Sequence, residues 1–249
     1  MTDRNEARHR VWKELRNVAR PDSRFHMNFA EFIPDFEGSR AATQRLVEME
    51  VYRRAKVLFI TPDNCLEQLR AQTVRDGKVL IMSTYGIRRG LVELLPEDVP
   101  EGLENYGVLL DVIEGLGRYI SLEKLKERYP RIDLLVTGAS AVTRSGVRFG
   151  KGHGFFDLEW AMLYQIGVVN TGTPVVAFVH DCQVVEMDLP ANPYDTICDL
   201  IVTPTQVIQV ENPQKPTSGV LWDRLEPGMM ESISPLRELK RMEEVKTAG

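Results

Sequence analysis

The chain has 249 residues, of which 43% are hydrophobic and 27% charged, with a formal net charge of −5. This composition is that of a globular protein with a full core, and the acidic balance argues against a nucleic-acid-binding protein. The charged N-terminus lacks the apolar core of a signal peptide, and no apolar run approaches the ~20 residues of a membrane span. The three cysteines show no disulfide or metal-binding spacing, so we expect a cytoplasmic protein with no membrane association.

The predicted elements alternate between helices and short apolar strands. In chain order they are helix 4–18, helix 39–55 capped by Ser39, strand 56–60, helix 64–76, strand 78–82, two helices in a connector, strand 132–136, helix 157–166, and strands 175–179 and 200–202. Continuously apolar strands between helices are typical of a mostly parallel sheet covered on both faces. We therefore predict one α/β domain over residues 1–249, with a C-terminal extension from about residue 212 that ends in an exposed helix.

A glycine-rich segment precedes the helix predicted at 157–166. Three glycines alternate with two basic or titratable side chains, in the order Gly150, Lys151, Gly152, His153, Gly154. Alternating glycines leave backbone N–H groups uncovered, so an anion can approach the main chain closely. Lys151 and the nearby Arg148 add positive charge, and the following helix adds the dipole of its N-terminus. We interpret the segment as a phosphate-binding loop, and a tight structural turn is the alternative.

Two aspartates near this loop each allow a structural and a functional interpretation. Asp157 stands where the predicted helix begins, and aspartate is a preferred N-cap. Asp195 closes the turn-forming run Asn-Pro-Tyr-Asp at 192–195, which favours a turn aspartate. Magnesium, however, takes one or two carboxylates together with phosphate oxygens. The alternative for both residues is therefore a metal ligand.

Histidines and arginines add further candidates. His153 is a candidate phosphate contact or proton-transfer group, or else a surface imidazole. His180 and Asp181 follow an apolar strand, where sites in α/β proteins usually open, or else form a turn there. Arg4 and Arg8 are four residues apart and share one face of the first helix, which by default is solvated.

Taken together, these segments resemble the 5-formyltetrahydrofolate cyclo-ligase family, also called methenyltetrahydrofolate synthetase. The family signature Gly-Tyr-Arg-Leu-Gly-x-Gly-x-Gly-Tyr-Tyr-Asp stands at 146–157 as Gly-Val-Arg-Phe-Gly-Lys-Gly-His-Gly-Phe-Phe-Asp. A second block comprises Gln183, Pro190, Asp195 and the strand 200–203, and a third is the basic pair Arg4 and Arg8. A divergent branch is similar in more detail, with Gly-Lys-Gly-x-Gly-x-x-Asp-Leu-Glu at 150–159, Val-His-Asp-x-Gln at 179–183 and Val-Thr-Pro at 202–204.

The resemblance implies an α/β fold of the NagB/RpiA/CoA transferase-like type and a requirement for ATP and Mg²⁺. In the main family, ATP phosphorylates the formyl oxygen of the substrate, a ring nitrogen attacks the activated carbon, and phosphate leaves. An amide oxygen is a poor leaving group, and phosphorylation makes it a good one. Phosphoryl transfer needs positioning and charge neutralisation more than a protein nucleophile.

The resemblance also implies roles for individual residues. The phosphates would be held by Arg4, Arg8, Arg148, Gly150, Lys151, Gly152, His153 and Gly154. Of these, the residues expected to act at the transferred phosphoryl group are Arg148, Lys151 and His153. Asp157 and Asp195 would hold Mg²⁺. The substrate would contact Phe155 and Phe156, and we expect His180, at its strand end, to contact it as well.

The chain departs from the main family in the substrate half of the site. No Glu-Thr pair stands in the helix that begins near Asn64, and the proline after the next strand is replaced within 82–85. We therefore predict an ATP- and Mg²⁺-dependent enzyme that closes a ring on a formyl-folate or a related amide-bearing heterocycle.

Two other functions remain open. One is a ring-opening or hydrolytic enzyme for a non-folate heterocycle that works without ATP, with His153, His180 and Asp181 as acid–base groups. The other is a non-catalytic regulator that binds a nucleotide or a folate.

Overall fold

The computed structural model describes the backbone of residues 3–187 and 189–248 and the side chains of residues 4–187 and 189–245. The helices in these ranges are α1 (Asp3–Leu15), α2 (Ser39–Val47), α3 (Glu50–Arg54), α4 (Glu67–Arg75), α5 (Glu104–Gly107), α6 (Leu110–Leu116), α7 (Leu122–Arg128), α8 (Phe155–Ile166), α9 (Met229–Ser232) and α10 (Ser234–Ala248). The strands are β1 (Val57–Ile60), β2 (Val79–Ser83), β3 (Leu91–Leu94), β4 (Arg118–Ile120), β5 (Leu134–Thr137), β6 (Ala141–Thr143), β7 (Arg148–Phe149), β8 (Val175–Phe178), β9 (Val184–Val185), β10 (Leu200–Val202) and β11 (Val207–Gln209). No helix among the described residues is long and apolar enough to cross a membrane.

The main sheet has eight strands in the order β11-β10-β8-β5-β1-β2-β3-β4. Its five central strands, from β10 to β2, are parallel, while β11 at one edge and β3 and β4 at the other are antiparallel. Strands β1, β5 and β8 are buried at every position, because helices cover both faces of the sheet. The predicted α/β class with a mostly parallel sheet is confirmed.

Each face of the sheet carries its own hydrophobic core. On one face, Phe59 and Leu135 pack with residues of α7, α8 and α10, including the fully buried Trp160. On the other face, Leu58 and Val136 pack with residues of α2, α3, α4 and α6. Alternate residues of the same strands thus face opposite cores, which explains why the strands read as unbroken apolar runs.

Several sequence predictions need correction. The helix predicted over 39–55 is two helices, α2 and α3, and Gly38 rather than Ser39 is the N-cap of α2. A Cβ on Gly38 would lie 2.8 Å from the Pro204 side chain, so that position must stay small. The connector before residue 132 contains β3 and β4 as well as helices. Helix α10 is not simply exposed, because Leu236 and Leu239 are buried in the core.

A smaller three-stranded sheet, ordered β7-β6-β9, holds the start of the glycine loop. Strand β7 ends at Phe149, and the loop follows directly. Ala7 and Val11 of α1 pack against Phe149 in a separate small core. The N-terminal helix therefore packs against the base of the loop, although the two segments are far apart in the sequence.

Candidate functional site

The glycine loop, residues 150–154, is open to solvent. Gly152 and Gly154 have φ angles of 128° and 64°, and a Cβ added at either would meet no atom within 4 Å. Within the described part of the chain, no backbone N–H of residues 151–154 donates a hydrogen bond. Gly154 is the N-cap of α8, so the N-terminus of that helix adjoins the loop. Free amide donors at a helix N-terminus form a surface that attracts anions.

The loop separates two clefts. The first cleft has a volume of about 740 Å³, counting its open mouth, and lies where β1, β2 and β5 end. Of the predicted site residues, those that line it are Arg148, Gly150, Lys151, His153, Gly154, Phe155 and Phe156. Parallel strands commonly present a binding site at this edge of a sheet.

The second cleft, with a volume of about 950 Å³ counting its mouth, lies on the other side of the loop. Gly152, His153, Gly154 and Asp157 line it on one side. The C-terminal extension lines it on the other, through Val220, Leu225 and Met229 among others. The extension thus helps to form a cavity beside the loop.

Aromatic rings from the segment before α2 and from the turn after β2 form one wall of the first cleft. Phe25 stacks between Phe32 and Tyr85, with ring centroids 5.1 and 5.6 Å apart. Lys151 Nζ lies 5.0 Å from the centre of the Tyr85 ring and donates a hydrogen bond of 3.0 Å to the carbonyl of Glu31. Lys151 therefore joins the loop to this wall.

A carboxyl and a hydroxyl form the floor of the first cleft. Glu159 on α8 is 3% exposed and Ser83 at the end of β2 is 1% exposed. The Ser83 hydroxyl is near enough to hydrogen-bond to the Glu159 carboxyl, and Glu159 Oε2 and Ser83 Oγ have no other partner among the described residues. Burial raises the pKa of Glu159 to about 8, against a smaller opposing effect of the nearby Ser83 hydroxyl. Glu159 is therefore mostly protonated at neutral pH.

A buried ion pair links the loop to α8. Arg148 Nη2 lies 3.1 Å from Asp157 Oδ2, and the two side chains are 4% and 11% exposed. Asp157 Oδ1 accepts a hydrogen bond of 2.9 Å from the Thr196 backbone N–H. Burial raises the pKa of Asp157 despite the attraction of Arg148. Asp157 is not the N-cap of α8, because it lies two residues inside the helix.

The N-terminal arginines are not on a solvated face. Arg4 binds Asp195 through both terminal nitrogens, at 3.2 and 2.5 Å, and Asp195 also accepts from the Asn192 backbone N–H. Arg8 Nε donates a hydrogen bond of 2.7 Å to the carbonyl of Gly150. Neither arginine lines the two clefts beside the loop. Arg8 therefore holds the start of the loop, while Arg4 holds the segment around Asp195.

Ligation of Mg²⁺ by Asp157 and Asp195 stays a prediction, and both carboxylates already bind protein donors in this arrangement. Both oxygens of Asp157 and both oxygens of Asp195 already accept hydrogen bonds, each pair including one or more from an arginine. Across the described residues, no group of three or more His, Cys, Asp or Glu side chains could hold a metal ion.

The structure separates the two predicted histidines. His153 is about half exposed, packs on Phe155 with ring centroids 5.3 Å apart, and borders both clefts. His180 lines neither cleft, since its Nδ1 accepts from the Cys182 backbone N–H and its ring contacts Phe36. The neighbouring Asp181 accepts from the hydroxyls of Thr203 and Thr205.

Sequence reasoning assigned no role to Glu159, Ser83 or the aromatic wall. Glu159 lies four residues after Phe155, so helical spacing would have placed both on one face of α8. Ser83 ends an apolar strand, a position typical of site residues in α/β proteins. Phe25 carried no signal, because its segment shows neither helical nor strand periodicity.

The fold and the site define the class of protein: an α/β protein with an open glycine loop between two clefts. Residues 1–204 match the model of the 5-formyltetrahydrofolate cyclo-ligase family, and the chain belongs to this family. The matched region ends before the C-terminal extension that lines the second cleft.

Relatives with similar sequences include the methenyltetrahydrofolate synthase domain-containing proteins of Homo sapiens and Danio rerio. The first is 35% identical over 215 residues, which cover 85% of this chain and 55% of the relative. The second is 30% identical over 245 residues, which cover 96% of this chain and 62% of the relative. The chain thus spans somewhat more than half the length of these relatives.

Two further similarities are more limited. The 5-formyltetrahydrofolate cyclo-ligase of Escherichia coli strain K12 is 37% identical over 79 residues, which cover 31% of this chain and 39% of that protein. The NMR structure of 5,10-methenyltetrahydrofolate synthetase from Aquifex aeolicus superimposes with a TM-score of 0.54 at 18% identity, covering 86% of this chain and 96% of that one. This second match supports the fold alone.

Proposed function

We propose that the chain is an ATP-using cyclo-ligase that closes a ring on a formyl-folate or a related amide-bearing heterocycle. Its family is one of 5-formyltetrahydrofolate cyclo-ligases, and its substrate would occupy the first cleft. The NagB/RpiA/CoA transferase-like classification and a cytoplasmic location belong to the same proposal. They are supported by the parallel sheet with helices on both faces and by three free cysteines.

The observation that carries the proposal is the open glycine loop. Among the residues that the structure describes, its backbone N–H groups at 151–154 have no partner, and no side chain occupies the space above Gly152 or Gly154. Such donors at the start of α8 would bind the terminal phosphates of a nucleotide. When bound, ATP would supply the phosphoryl group that turns an amide oxygen into a leaving group.

The side chains around the loop would position the reacting groups. Lys151 would neutralise phosphate charge from the rim of the first cleft, and His153 would contact the nucleotide from the border of both clefts. Arg148 and Arg8 would act by fixing the loop, the first through Asp157 and the second through the carbonyl of Gly150. Any magnesium would arrive on the nucleotide phosphates rather than in a protein site.

The ATP-independent alternative has less support. Of its three acid–base candidates, His153, His180 and Asp181, only His153 lines a cleft beside the loop. The regulator alternative differs from the proposed enzyme only in the absence of turnover, so a direct assay distinguishes the two.

The proposal is tested by binding and by turnover. Calorimetry with Mg-ATP should show binding to the wild-type protein, and absence of binding would exclude the ATP-dependent reaction. Adding 5-formyltetrahydrofolate and ATP should then produce the absorbance of the methenyl product. Nucleotide binding without any such product would instead favour the regulator or another substrate.

A further inference from the structure

The C-terminal extension is held against α8 by hydrogen bonds that involve side chains of that helix. The Trp160 indole N–H donates a hydrogen bond of 3.0 Å to the carbonyl of Pro216, and Trp160 is fully buried. Gln165 Oε1 accepts a hydrogen bond of 2.8 Å from the backbone N–H of Val220. Because both ends of this short stretch are bonded to one helix, the chain that follows it has a defined position beside α8.

The second cleft consequently has two apolar walls. Leu158 and Ala161 of α8 line one side, and Val220, Leu225 and Met229 of the extension line the other. The α8 wall falls within the region that matches the family model, whereas the extension wall lies wholly beyond it. The extension therefore adds a wall that the family region of this chain does not supply.

The end of the second cleft that meets the glycine loop is polar. Gly152, His153 and Gly154 line it there, and no backbone N–H of residues 151–154 donates a hydrogen bond to another described residue. The Glu226 carboxylate stands opposite, 3.9 Å from His153 Nδ1. The cleft thus joins an anion-binding rim to an apolar interior. A ligand that matches this combination carries phosphate on a group that fits between two apolar walls, as a nucleotide does.

Building on the proposed function, we propose that the C-terminal extension recognises the nucleoside part of the nucleotide whose phosphates bind the glycine loop. The base lies between Leu158 and Ala161 on one side and Leu225 on the other. The ribose hydroxyls donate hydrogen bonds to the Glu226 carboxylate. This arrangement leaves the first cleft, on the opposite side of the loop, free for the substrate. Residues outside the family region thus determine how tightly this chain binds its nucleotide.

The first test compares ATP with inorganic tripolyphosphate, which carries three linked phosphates and no nucleoside. In calorimetry with Mg²⁺, the wild-type protein should bind ATP at least about tenfold more tightly, because only ATP buries an apolar ring in the second cleft. Equal affinity for the two ligands, or tighter binding of tripolyphosphate, would overturn the proposal.

Variants on the two walls then assign this preference to residues. Ala161→Leu fills the cleft from the α8 side and should weaken ATP binding about tenfold, and Leu225→Ala removes contact from the extension and should weaken it about fivefold. Affinity for tripolyphosphate should be unchanged in both variants, which also shows that they are folded. Ala41→Leu is the matched control, because Ala41 is exposed on α2 and lines neither cleft. Unchanged ATP affinity in Ala161→Leu would refute the proposal.

Turnover separates the failure of the nucleoside site from the failure of the proposed function. Ala161→Leu should raise the KM for ATP about tenfold and leave the KM for 5-formyltetrahydrofolate unchanged, because the substrate occupies the other cleft. Methenyl formation with an unchanged KM for ATP would refute the role of the extension and leave the cyclo-ligase reaction standing. If the wild type binds neither ATP nor tripolyphosphate, the phosphate site is refuted and the nucleoside site with it.

Discussion

The glycine loop and the floor of the first cleft adjoin the same helix, α8, and both carry polar groups with few hydrogen-bond partners in the described part of the chain. In the loop these are backbone N–H groups next to exposed glycines, which water can satisfy. On the floor they are the Glu159 carboxyl and the Ser83 hydroxyl, which are almost completely buried. The same lack of partners therefore has little energetic consequence in the loop and a large one on the floor. Changes in the buried region should alter stability, while changes in the loop should mainly alter binding.

The largest effect is expected at the buried ion pair. Asp157→Ala would leave Arg148 charged, buried and unpaired, so we expect unfolding free energy to fall by about 3–5 kcal/mol in urea denaturation. Glu186→Ala is the control, because it removes the carboxylate of an exposed pair in which Arg144 and Glu186 are 52% and 72% exposed. The control should lose less than about 1 kcal/mol. Equal losses of unfolding free energy in the two variants would contradict the prediction that burial makes the loss of a partner more destabilising.

Glu159→Gln should change how stability depends on pH. The folded chain holds the Glu159 proton more tightly than the unfolded chain, with a pKa raised from 4.5 to about 8. The stability that Glu159 contributes is therefore full below pH 4.5 and is lost as pH rises towards about 8. Between pH 5 and 7.5 the unfolding free energy of the wild type should fall by about 3 kcal/mol relative to that of Glu159→Gln, at about 1.4 kcal/mol per pH unit.

Urea denaturation of both proteins across this pH range measures the difference. Glu127→Gln is the control, because the Glu127 side chain is 57% exposed on α7. Parallel stability curves for the wild type and Glu159→Gln would show that Glu159 ionises normally.

Lys151→Ala should weaken Mg-ATP binding about tenfold, because one charge-assisted contact to phosphate is lost. Its stability should change little, since the ammonium binds only the Glu31 carbonyl and the face of Tyr85. Lys126→Ala removes the same charge from an exposed site on α7 and should leave the affinity unchanged. If calorimetry gives equal Mg-ATP affinities for the two variants, Lys151 does not contribute to phosphate binding.

The smallest effect should come from Gly154→Ala. Its φ of 64° is left-handed, so a side chain there should cost about 1 kcal/mol of stability. Gly167→Ala, at the other end of α8, is a matched control with a φ of 84° and equally open space. Both variants should lose similar stability, but only Gly154→Ala should weaken Mg-ATP binding, several-fold. Similar affinities in the two variants would indicate that the loop is a structural turn.

Much of the fold could be predicted because its signals are local. Strands β1, β8 and β10 fall within the predicted apolar runs, and β2 and β5 each extend one residue beyond theirs, since burial on both faces removes polar residues from most of each run. The edge strand β4 was not predicted because it is partly exposed and lacks such a run, and β3 was not predicted because Glu93 interrupts its apolar residues even though every position is buried. The N-cap of α2 was predicted to be Ser39 but is Gly38. Gly38 lies against Pro204, which is distant in sequence, so no local pattern indicated it.

The class of fold, the glycine loop and the helix after it could all be predicted from local sequence, because backbone freedom and the periodicity of burial depend on neighbouring residues. Which charges are neutralised and which polar groups have few partners became visible only in the folded chain. Arg4 meets Asp195 across 191 positions, Glu159 is buried beside Ser83, and His180 points its ring nitrogen at its own turn. These pairings and burials are made by segments far apart in the chain, so no local sequence pattern predicts them.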